Sequence, residues 1–150
     1  MIVGYGARLD PEAIGLGLQA FVRVQLEKHG QAGIDRFAAA VRAKDWVVFT
    51  EIDHAAAASA VGMALRPRSV VFFGNPRAGT GAMATHPTLA IDLPMRVLVW
   101  QDDTGQTQVT RNTGADIASR VFARHGVIVP PQAQRATDAF IEELVRQAAA

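Results

Sequence analysis

The chain has 150 residues, 49% of them hydrophobic, a formal net charge of +1 and no cysteine. That size and composition fit one globular domain able to bury about 68–70% of its unfolded surface, and the missing cysteines exclude disulfides, thiolate zinc sites and cysteine nucleophiles. The near-zero charge is far from the concentrated positive field that nucleic-acid phosphates or an anionic membrane select, so neither partner is expected.

The chain opens with MIVGYGARLDPEAIGLGL, which is weakly patterned and reads as an N-terminal extension over residues 1–18. It has no basic leading region and its apolar run breaks at Arg8 and Asp10, so it does not read as a secretory signal. No run of about 18 apolar residues exists to span a bilayer. The default expectation is a soluble cytoplasmic protein. Only Lys28 and Lys44 are lysines; the preference for arginine and alanine is the bias of a GC-rich bacterial genome.

The single α+β domain over 19–150 begins with AFVRVQLE, where Val22, Val24 and Leu26 alternate with Arg23, Gln25 and Glu27 at the period of a half-buried strand. After HGQAG, the spacing of Ile34, Phe37, Ala38 and Val41 predicts an amphipathic helix. WVVFTEI, residues 46–52, is a second strand, and Asp53 stands where an N-cap would start the alanine-rich helix HAAAASAVGMAL. SVVFF is a third strand, followed by a glycine-rich loop and a short helix around AMATHPTLAI. LPMRVLVW and QTQVTR flank QDDTG as a β-hairpin. DIASRVFARHG reads as a helix stopped at Gly126, and a last helix at about 131–149 carries Phe140, Ile141, Leu144 and Val145 as its apolar stripe. Helices between the early strands and a hairpin late in the chain make the class α+β, not a βαβ repeat.

The loop in SVVFFGNPRAGTG invites comparison with a phosphate-binding loop, because Gly74 and Gly79 have the right separation. The lysine that neutralises phosphate charge is absent and the hydroxyl of Thr80 is displaced by one position, so this is not a nucleoside-triphosphate site. Backbone geometry accounts for it better: Gly74 frees an unusual angle, Asn75 before Pro76 is extended, and Thr80 caps the helix after Gly79. Glu51, Asp53 and His54 cluster at one strand–helix junction, and His86 and Asp92 flank the entrance to a later strand. These are residue types that bind zinc or trade protons near neutral pH. H-x-x-x-H and H-E-x-x-H spacings are absent, which favours local roles: a cap for Asp53, first-turn bonds for His54, and a turn before Pro87 for His86. His29 and His125 each adjoin a glycine at an element end and read as solvated. There is no G-x-S-x-G, and neither Ser59 nor Ser69 sits where a nucleophile elbow would.

Three segments, Ile52–Ala55 (IDHA), Phe73–Thr80 (FGNPRAGT) and Ala90–Pro94 (AIDLP), occur in the order found in the domain of unknown function 302 family, which the chain resembles over about residues 20–126. The resemblance implies a fold similar to the TATA-binding protein: a curved antiparallel sheet of about five strands with helices on one face, assembled as a homodimer. It implies no DNA binding and no particular reaction, and the helix after PPQ reads as an addition. The expected activity is therefore non-enzymatic binding or sensing of a small molecule. Asp53, His54, Gly74, Asn75, Thr80 and Asp92 are its candidate ligand contacts, at a pocket formed by the three segments. The alternative is a metal-dependent or acid/base enzyme using Asp53, His54, His86 and Asp92, with His54 and His86 as the candidate metal ligands. No cofactor and no catalytic residue is assigned.

Overall fold

The computed structural model describes residues 21–26 and 31–149; the N-terminal extension and His29 lie outside them. Its centre is an antiparallel sheet of β1 (Phe21–Leu26), β2 (Val47–Asp53), β3 (Arg68–Gly74), β4 (Met95–Gln101) and β5 (Thr107–Asn112), in the spatial order β1-β5-β4-β3-β2. Consecutive strands β2 to β5 form a meander, and β1 closes onto β5 with Val24 opposite Val109. Side chains alternate between the faces. The register therefore puts Ser69, Val71 and Phe73 of β3 in line with Val97 and Val99 of β4 and with Thr107, Val109 and Arg111 of β5.

That row faces two helices, α1 (Gln31–Arg42) and α5 (Pro131–Ala149). Ile34, Phe37 and Val41 on α1 and Ile141, Leu144 and Val145 on α5 recur at helical spacing and are buried with Val71, Phe73, Val97, Val99 and Val109 in one cluster. Phe37 meets Phe73 edge-on at a ring separation of 5.3 Å, and Trp46, at the start of β2, lies 4.2 Å from the ring of Phe140. These aromatic pairs tie α1, α5 and the sheet into one core.

One buried position in the row is charged. Arg111 reaches α5, where its guanidinium pairs with Asp138 and, at 3.2 Å, with Glu142. Asp138 also accepts from the amide of Gly114 at 2.9 Å. Gly114 opens α4 (Gly114–Asp116), and a Cβ built on it would stand 2.1 Å from the carbonyl oxygen of Gln134. The chain crosses α5 there only because residue 114 has no side chain. α4 continues as a π-helical stretch, Ile117–Phe122, and a closing 3-10 turn, Ala123–His125, ended by Gly126 at φ 77°.

Three local expectations differ from the structure. SVVFFGNPRAGTG is not a strand followed by a loop: β3 ends at Gly74, and α3 (Pro76–Thr85) starts one residue later. Asn75 is its N-cap, its side chain accepting from the amides of Arg77 at 3.0 Å and Ala78 at 3.4 Å, and Pro76 takes the first helical position, where no amide hydrogen is needed. Cap and proline together outweigh the low helix propensity of Gly79 and Gly81. Thr80 is consequently mid-helix and caps nothing. Gly74 does not need a positive φ, which among the described glycines belongs to Gly62, Gly105 and Gly126. The cap at Asp53 stands as read: its Oδ1 accepts from the amide of Ala56 at 2.9 Å and starts α2 (His54–Ala60).

Candidate functional site

The residues singled out from the sequence fall at opposite ends of the sheet. β2 and β3 are antiparallel, so Asp53 is opposite Ser69, at the start of β3, whereas Gly74 and Asn75 are at its end, about 20 Å away at 3.3 Å per residue. Gly74 is buried beside Phe49 and Pro94, so the FGNP and DLP segments do meet. Asp53 and His54 do not join them. The set Asp53, His54, His86 and Asp92 is therefore split, and among the described residues no group of three or more histidine or carboxylate side chains is close enough to hold a metal ion. His54 is exposed at the first position of α2, and the Nδ1 of His86 bonds the neighbouring Thr85 hydroxyl at 2.9 Å. His86 thus keeps a local role at the turn before Pro87. Thr80 is exposed on α3.

At the Asp53 end, a cavity of about 200 Å³ opens between the first turn of α1 and the ends of β2 to β5. Ile34, Val99 and Trp100 are among its apolar lining and Gln31, Asp53, Arg68, Ser69 and Thr107 among its polar lining, the Nε2 of Gln31 donating to Asp35 at 3.1 Å. The sheet register makes this constellation, since Ser69 is paired with both Asp53 and Val99 across neighbouring strands, and Thr107 is paired with Gln101. Asp53 Oδ1 is engaged in capping α2. Thr107 is only 2% exposed, and its hydroxyl is the buried side-chain polar atom without a hydrogen-bond partner among the described residues. Buried hydroxyls are nearly always paired, because the water bond lost on folding is otherwise not replaced. An orphan hydroxyl lining a cavity beside the amide end of a 12-residue helix is an arrangement ready to donate to a bound group.

At the other end of the sheet, Asp92 follows a 3-10 helix, Pro87–Ile91, and precedes the cis Leu93–Pro94 peptide. Its carboxylate accepts from the Nε of Arg124 at 2.8 Å and contacts Nε2 of His125 at 2.5 Å. Those bonds, His125 first and Arg124 second, hold the Asp92 carboxyl below its usual range. The other ring nitrogen of His125, Nδ1, is 2.9 Å from the hydroxyl of Thr88. His125, expected to be solvated, is instead shielded, its side chain 9% exposed and bonded to Asp92, and Thr88 and Arg124 were not singled out, since the pair at 124–125 meets Asp92 only across more than thirty residues. Thr107 was not singled out either. The available signal was parity: in QTQVTR the core-facing positions are Thr, Val and Arg, so two polar residues occupy a buried row. Arg111 is paired there and Thr107, among the described residues, is not.

A solved structure from Bacillus stearothermophilus, described as an uncharacterized conserved DUF302 protein, superimposes with a TM-score of 0.66 over 87% of this chain and 98% of its own, at 12% identity, a likeness of fold. Among curated proteins, fluoride-specific ion channel FluC 1 of Brucella suis biovar 1 is 40% identical over 87 residues, which are 58% of this chain and 34% of the channel. FluC 1 of Brucella abortus biovar 1 and FluC 2 of Brucella melitensis biotype 1 match equally, over 32% of their length. The chain thus spans about a third of these relatives. The family described as domain of unknown function DUF302 matches residues 22–144, from β1 into α5. With its motifs, its α+β antiparallel architecture and that match in agreement, the chain belongs to the DUF302 family.

Proposed function

We propose that this chain is a small-ligand binding or sensing module whose site is the cavity at the Asp53 end of the sheet, and that it binds there without turnover. The orphan hydroxyl of Thr107 carries this reading, because a buried donor that no group among the described residues satisfies is well explained by a ligand that does. The volume of about 200 Å³ admits a molecule of few heavy atoms. The lining favours a hydrogen-bond acceptor, since it includes the hydroxyl-bearing Thr107 and Ser69 and the cationic Arg68, beside the first turn of α1. Small carboxylic acids and inorganic anions are the class that fits.

The module reading also covers the assembly. A curved sheet of the TATA-binding-protein type, a homodimer, a cytoplasmic location and no nucleic-acid partner are its further parts; the small net charge and the absence, among the described residues, of a helix able to cross a membrane support it. The Brucella relatives carry a like segment within longer proteins named as fluoride channels, so a role as the ligand-sensing part of a membrane transport system follows from the same reading. Fluoride accordingly belongs in the ligand panel.

Thermal shift and isothermal titration with fluoride, chloride, phosphate, acetate and pyruvate test the proposal on the purified chain. A saturable rise in melting temperature for one of them, lost in T107V, is the expected result. No response to any of them, in a protein whose T107V variant is less stable than the parent, overturns it.

A further inference from the structure

Thr88, His125 and Asp92 stand in the order nucleophile, base and orienting acid, at the end of the sheet remote from the cavity. The proton positions follow from the chemistry. The Asp92 carboxylate accepts from Arg124 Nε at 2.8 Å and offers Nε2 of His125, 2.5 Å from its Oδ2, only an acceptor, which favours the tautomer with the proton on Nε2. In the neutral ring Nδ1 is then a lone pair, and the Thr88 hydroxyl 2.9 Å away donates to it. Thr88 itself is exposed, whereas the His125 side chain is 9% and that of Asp92 11% exposed. A solvent-facing hydroxyl thus bonds a shielded imidazole whose other nitrogen is locked by a carboxylate, the mutual geometry by which an activated hydroxyl nucleophile is recognised. The helix that delivers His125 is π-wound over the six residues up to Phe122, a deviation frequent at functional sites.

We propose that Thr88 is an acyl-accepting nucleophile toward small activated esters. Thr88 Oγ forms a bond to the ester carbonyl carbon as its proton passes to Nδ1 of His125. The tetrahedral intermediate then expels the alcohol, which takes that proton, leaving an acyl-Thr88 ester and neutral His125. A water that gives its proton to the same nitrogen attacks the acyl carbonyl, and collapse returns free acid and the Thr88 hydroxyl. No oxidant, reductant or metal enters the balance. Asp92 is a positioning residue: it fixes the tautomer and offsets the imidazolium charge.

The test uses the whole chain with p-nitrophenyl acetate, reading nitrophenolate release together with peptide mass spectrometry for an added acetyl group. Acetylation at Thr88 in the parent, at least about 10-fold slower release in T88V and retained release in T88S are expected, since general-base assistance contributes roughly 10²–10⁴. D92N should lower kcat and leave KM unchanged, as suits a residue that never touches the ester. T88V alters an exposed side chain and keeps the fold, which unchanged circular dichroism verifies. Acetyl groups only on lysines or the N-terminus, or equal release by the parent and T88V, overturn the proposal.

Discussion

Replacing Thr107 by valine should make the protein more stable and deprive it of its ligand. Valine keeps the β-branched shape that suits β5 and swaps the hydroxyl for a methyl, so the 2% exposed site is filled without a polar atom. A buried hydroxyl with no partner costs about 1–3 kcal/mol, and removing both the donor and its need is nearly neutral or favourable. For the unliganded protein we expect a gain of about 1 kcal/mol, or roughly 2–4 °C in melting temperature for a chain of this length. Ligand reverses the ranking: at a hundred times its dissociation constant it adds about 2.7 kcal/mol to the parent and little to the variant, so the two stability curves cross. Urea denaturation with and without ligand measures both effects. A T107V variant less stable than the parent by 1 kcal/mol or more, in ligand-free buffer, would show that the hydroxyl is already satisfied and that the cavity has no vacant donor.

Other substitutions probe the frame around the site. G114A should be among the most damaging single-methyl additions, about 3 kcal/mol in urea denaturation, because its Cβ would meet backbone at 2.1 Å and force α4 off α5; a loss under 1 kcal/mol refutes the contact. G74A, whose new methyl would lie at ordinary 3.5 Å contacts with Phe49 and Pro94, should stay within about 1 kcal/mol of the parent in the same assay. D53A should cost about 1 kcal/mol through the lost cap on α2, with helicity and urea midpoint as readouts. Asp102, in the β4–β5 turn, is lowered to about 2 by bonds from the Thr104 hydroxyl, the Gln106 amide and the Gln108 side chain. A depressed carboxyl stabilises above its unfolded value of 3.8 and loses that contribution as pH falls toward 2, so D102N should flatten stability between those limits in acid titration.

Elements whose signals are local were legible in the sequence. Alternation marked the strands, the Asp53 cap marked α2, and Asp and Gly residues marked the hairpin turn. The glycine segment misled because glycine count was weighed above the Asn75–Pro76 pair, the stronger helix-start signal. The site was half legible. Asp53 and Asp92 do sit at polar constellations, but which residues join them depends on register and on helix crossings that no window of sequence contains. Ser69 is beside Asp53 only because β2 turns back on β3, and His125 reaches Asp92 only because the segment after α4 returns to the start of β4.

The placement of β1 also sets an order of assembly. β2 to β5 are joined by short or helix-containing connections and can pair with their neighbours in sequence as soon as they collapse. β1 pairs across the far edge, Phe21 with Asn112, closing a loop of about ninety residues whose entropy is recovered only once β5 exists as a template. Folding should therefore proceed through a four-stranded intermediate order of events with β1 last, and substitutions in β1 should speed unfolding while leaving the refolding rate almost untouched. In the cell the same topology delays completion: β1 waits until β5, about eighty residues later, has been made before it finds its place.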